Sequence, residues 1–96
     1  MEAWNPECAV YEHELKEASK RGHIVELHVN HSTEGFYVTA KLEYRDEEIY
    51  LTTRRDRDRP KYYVDPGRLL NHIIRELPEV VYVQAYLLPR KKNKGA

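Results

Sequence analysis

Between His23 and Arg54, in segments separated by turns, apolar side chains recur on every second residue, and this period of two constrains the fold more than anything else in the chain. It is the pleat of a half-buried strand, in which alternate side chains face opposite sides of a sheet. Val25, Leu27 and Val29 alternate with Glu26, His28 and Asn30. His31-Ser32-Thr33-Glu34-Gly35 reads as a turn, with Gly35 free to take a positive φ. Phe36, Val38, Ala40, Leu42 and Tyr44 then share one face, opposed by Tyr37, Thr39, Lys41, Glu43 and Arg45. Asp46-Glu47 turns the chain again, and Ile49, Leu51 and Thr53 alternate with Tyr50, Thr52 and Arg54. Strands joined by turns this short predict an antiparallel meander.

Helical signals flank the meander. Asn5 is a good N-cap and Pro6 suits the first helical position. Cys8, Tyr11, Leu15 and Ala18 recur at spacings of three and four, and Gly22 suits a C-terminal cap, so a helix is expected over 6–21. Asp65-Pro66 opens a second helix, with Leu69, Leu70, Ile73, Ile74 and Leu77 on one face and Pro78 as its stop. Between them Pro60 restricts any strand to an edge or a strand start, and Tyr62 and Val64 set against Lys61 and Tyr63 predict a short fourth strand. Val80–Leu88 is β-branched and aromatic, a final strand ended by Pro89.

The expected order is therefore α-β-β-β-(β)-α-β. It implies an α+β, two-layer sandwich with a mostly antiparallel sheet of four or five strands and both helices on one face. Residues 1–89 are expected to form one domain, with a basic, solvated tail over 90–96.

Several chemistries find no support. No apolar run approaches the ~20 residues of a membrane span, so no membrane partner is expected. A single cysteine, Cys8, cannot close an internal disulfide, and a cytoplasmic setting is expected. Glu26 and His28 share strand parity while His23 has the opposite parity, so no metal site is assigned. Cys8 and His13, five residues apart on a helix, would point about 140° from each other and make no nucleophile–base pair. A glycine-rich phosphate loop, a nucleophile elbow and a Cys-x-x-Cys pair are all absent from the sequence. No catalytic residue, cofactor or small-molecule substrate is assigned, and the chain is expected not to be an enzyme.

Function must then lie on a surface. Aromatic usage is skewed to eight tyrosines against one Phe and one Trp. If the Phe36/Val38/Ala40/Leu42 face looks at the helices, the other presents tyrosines interleaved with Lys, Arg and Thr. Charge is also split: residues 1–50 carry eleven acids and five bases, and residues 51–96 five acids and eleven bases. Such a field acts on association rather than on fold. Arg54, Arg55, Arg57, Arg59 and Lys61 crowd one loop, but Asp56 and Asp58 alternate with them and weaken it as a phosphate magnet. Three readings stand together: a plain sheet surface, a protein interface, and a platform that stacks bases and holds phosphates. The expected function is a small binding module for a protein partner or for self-association as a homodimer, of a regulatory kind. Its expected surface is Tyr37, Lys41, Tyr50, Arg54, Arg55, Arg57, Lys61 and Tyr63. The alternative is a nucleic-acid-binding protein using the same aromatic and basic sheet face with its arginine-rich hairpin.

Overall fold

The computed structural model describes residues 4–88; the expected basic tail over 90–96 lies outside them. The fold is a small α+β one, with a five-stranded mixed sheet and two helices. The strands are β1 (Ala9–Val10), β2 (Ile24–Ser32), β3 (Gly35–Leu42), β4 (Ile49–Leu51) and β5 (Gln84–Tyr86); α1 spans Glu12–Lys20 and α2 Pro66–Glu76. No helix among the described residues is long and apolar enough to cross a membrane.

The meander forms as its alternation dictates. β2 pairs antiparallel with β3 from Ile24↔Leu42 to Ser32↔Gly35, with one irregularity between Ile24 and Glu26. Gly35 takes φ +132° at the turn, and a Cβ there would come within 2.8 Å of the Tyr63 carbonyl oxygen, so the position requires glycine twice over. α2 also starts where its caps place it: the Asp65 carboxylate accepts from Gly67 N–H at 2.8 Å, and Pro66 occupies the first turn.

The expectation of one helix over 6–21 is corrected. Asn5 does cap, accepting from Glu7 N–H at 3.0 Å, but only for a single 3-10 turn over Pro6–Cys8. Ala9 and Val10 then leave the helical path to pair in parallel with Tyr50 and Leu51 of β4. The helix restarts at Glu12 after Tyr11, whose N–H donates to the Glu14 carboxylate at 2.8 Å. A vacant edge on β4 outweighs a helical spacing that was only a weak local preference.

The sheet order is β1-β4-β3-β2-β5, which also corrects the expected, mostly antiparallel sheet. β2/β3 and β3/β4 are antiparallel, whereas β1/β4 and β2/β5 are parallel. The cause is occupancy of edges. When the chain leaves β4, β3 and β1 already hold both of that strand's sides. α2 carries the chain back, and β5 reaches the free edge of β2 running in the same direction, as a helical crossover requires. The expected fourth strand near 61–64 is reduced to isolated bridges, Phe36↔Tyr63 and Thr52↔Pro60. Because β4 is only three residues long, Phe36 extends past it and exchanges two backbone hydrogen bonds with Tyr63, at 2.8 and 2.7 Å.

One main core joins both helices to one strand parity. It contains Leu15 and Ala18 of α1, Leu27 and Val29 of β2, Val38, Ala40 and Leu42 of β3, Ile49 and Leu51 of β4, and Leu69, Ile73 and Leu77 around α2. Between the helices Lys16 pairs with Glu76 at 2.8 Å and Glu12 with His72 at 3.2 Å. The Lys16 ammonium and Arg75 hold the Glu76 carboxyl down to about 2.

Candidate interaction surfaces

The tyrosines expected on an open sheet face divide three ways. Tyr50 is only 3% exposed and forms a second apolar cluster with Cys8 and Ala9, against which Trp4 packs. Its hydroxyl donates to the Arg57 carbonyl at 2.8 Å, and burial raises its pKa above the usual phenol value. Tyr37 is half-buried under Trp4 and Tyr62, meeting their rings edge-on at centroid distances of 5.3 and 5.6 Å. Tyr63 turns to the other side and packs against the main core, its buried hydroxyl without a hydrogen-bond partner among the described residues. The alternation read for 61–64 is thus inverted: Tyr62, not Tyr63, joins Tyr37. Trp4, which no period singled out, covers this half of the face.

The basic residues are pinned rather than fanned out. The Thr52 hydroxyl lies 2.6 Å from the Arg59 carbonyl and 2.8 Å from that of Asp56, drawing the loop back onto β4. The Asp58 N–H donates to the Asp56 carboxylate at 3.2 Å. The aspartate therefore shapes the loop through its backbone, and among the described residues neither aspartate makes a salt bridge to an arginine. Arg54 and Arg57 lie over the Tyr11 ring at 5.1 and 5.3 Å, Arg59 over Tyr62 at 5.5 Å, and Lys61 over Tyr63 at 5.0 Å. Arg57 also donates to the Pro6 carbonyl at 3.0 Å. Arg55 is exposed in the loop, and Lys41 is exposed on β3 opposite Glu26. A cleft of about 390 Å³ between α1 and this loop is lined by Tyr11, His13, Lys16, Thr53, Arg54 and Lys61 among others.

The other half of the same face holds a constellation that strand parity passed over. His28 is 5% exposed, and its ring lies between two carboxylates: Nδ1 is 2.7 Å from Glu48 and Nε2 2.9 Å from Glu26. Thr39 Oγ1 stands 3.5 Å from Nδ1, and the Tyr86 ring meets the imidazole edge-on at 5.3 Å. Glu26 was legible as a same-face neighbour two residues away; Glu48 was not, because it arrives from the β3–β4 turn. Among the described residues no group of three or more His, Cys, Asp or Glu is arranged to hold a metal. The role of His28 is to tie β2 to the β3–β4 turn.

The remaining surface is the edge formed by β5. Only three of its residues pair with β2, as His28↔Gln84, Val29↔Ala85 and Asn30↔Tyr86, and Leu88 N–H donates to His31 Nδ1 at 3.3 Å. Val80 and Val83 pack on the core, while Val81 is 90%, Leu87 69%, Tyr82 63% and Tyr86 50% exposed. Position by position, Val80–Leu88 contains no charged residue and no proline. Natural sheet edges are commonly blunted by charge, proline, a bulge or a cover. This edge lacks the first two, and β1, at the opposite edge, is only two residues long. Comparison with protein-family models, with curated proteins and with solved structures finds no match for the chain.

Proposed function

We propose that this protein is a non-enzymatic binding module that associates with other protein chains by strand addition at β5. The reading takes the fold as a two-layer sandwich with both helices on one face. The observation that carries it is the β5 edge, Gln84–Tyr86, within an uncharged Val80–Leu88 segment whose Val81, Tyr82, Tyr86 and Leu87 are exposed. Such an edge supplies a row of backbone donors and acceptors for affinity and alternating side chains for selectivity. It replaces the tyrosine face as the working surface, because Tyr50 and Tyr63 are spent on packing and Tyr37 lies under Trp4 and Tyr62.

Titrating a labelled peptide of the sequence 80–88 against the protein tests the reading. Saturable binding is expected, and Tyr82→Lys/Leu87→Lys, which places two charges on exposed edge positions, should abolish it while leaving the thermal transition in place. Equal binding by both proteins would sink the reading. The nucleic-acid alternative loses its stacking platform with those same tyrosines. An oligonucleotide whose affinity fell steeply with salt and weakened in Arg54→Ala/Arg57→Ala would restore it.

A further inference from the structure

Resting on the reading of β5 as a strand-addition edge, we propose that its partner is a second copy of this chain, the two β5 segments running antiparallel about a two-fold axis at Gln84. The sequence of the edge selects this partner. An antiparallel pair centred on Gln84 sets Val83 opposite Ala85, Tyr82 opposite Tyr86, Val81 opposite Leu87 and Val80 opposite Leu88 of the other copy. Every apolar residue meets an apolar one of complementary size, aromatic faces aromatic, and the single polar side chain meets itself. An isologous contact demands this kind of self-complementarity. Residues directly opposite in an antiparallel pair lie on the same face, so Tyr82 and Tyr86 meet on the side of His28 and Asn30, where the register places Gln84 and Tyr86.

Area sets the strength. The exposed parts of Val81, Tyr82, Tyr86, Leu87 and Leu88 offer at most on the order of 500 Å² per copy, which for the pair is near the lower bound for a specific interface. The dimer is accordingly reversible and concentration-dependent. Its sheet would run continuously through ten strands, with β1 at each end.

Single cysteines read the axis. Across an antiparallel pair, opposed Cα atoms lie about 4.5 or 5.5 Å apart, within the span a disulfide bridges. With oxidised glutathione as oxidant, Gln84→Cys should cross-link to itself. Val81→Cys and Leu87→Cys should not cross-link alone but should do so when mixed. The wild type, whose Cys8 is buried, and Val64→Cys, exposed away from the strip, serve as controls and should stay uncross-linked. Light scattering of the unmodified protein should show mass rising from one copy toward two with concentration. A dimer lacking the Gln84 cross-link, or Val64→Cys cross-linking as well as Gln84→Cys, overturns the proposed axis. A monomer at high concentration overturns the second copy as partner. Binding of the 80–88 peptide to such a monomer would leave the strand-addition reading standing, and its absence would remove both.

Discussion

Truncating His28 to alanine tests whether a buried histidine between two carboxylates holds the sheet face together. Two ring–carboxylate contacts are lost, at 2.7 and 2.9 Å. Hydrogen bonds to charged groups contribute roughly 1.5–3 kcal/mol each, but Glu26 and Glu48 are nearly half exposed and rehydrate, so about 1 kcal/mol per bond is expected. Loss of the ring's buried apolar surface adds about 1.5–2 kcal/mol at 25 cal/mol per Å². The total, about 3–4 kcal/mol, corresponds to a fall in Tm of about 15–25 °C for a domain of this size. His28→Leu, which refills the site without the bonds, should lose only about 1–2 kcal/mol by the same reasoning. Urea unfolding of His28→Ala, Glu48→Ala and the double variant should give a coupling energy of about 1 kcal/mol. A coupling near zero, or His28→Leu as stable as wild type, refutes the clamp and leaves His28 a mere space-filler.

Other perturbations address neighbouring features. Tyr50→Phe removes the bond to the Arg57 carbonyl and should cost about 1 kcal/mol at neutral pH. Because the folded pKa of Tyr50 is raised, its contribution is present below about pH 10 and lost as pH rises through the folded value, so Tyr50→Phe should unfold less readily in alkali than its neutral stability suggests. Glu76 behaves in the opposite sense: its folded pKa is depressed from 4.5 to about 2, so any stability difference between wild type and Glu76→Gln should be full above pH 4.5 and vanish toward pH 2. An unchanged difference across that window in acid titrations would contradict the Lys16–Glu76 link. Gly35→Ala adds a Cβ 2.8 Å from the Tyr63 carbonyl at φ +132° and should destabilise by about 2 kcal/mol or more, seen as a lowered urea midpoint. Gly22→Ala, at φ +72° with nothing within 4 Å, should cost less.

What the sequence alone determined is local. The β2–β3 hairpin and its apolar face follow from a period of two, and the start of α2 from Asp65-Pro66, because these signals act through neighbours a few residues away. The charge split proved less informative than its size suggested, since Arg54, Arg57 and Arg59 rest on tyrosine rings of this same chain. Periodicity identifies which face of a strand is apolar, but not what comes to lie on the other. Only the tertiary structure brought Trp4 over Tyr37 and Tyr50, turned Tyr63 inward, and drew Ala9 and Val10 out of a plausible helix. It also set β5 at an edge, parallel to β2. Those outcomes were decided by which strand edges stood vacant as the sheet filled. An unpaired row of backbone donors and acceptors attracts whatever segment can reach it, and reach is a property of the folded chain rather than of any window within it.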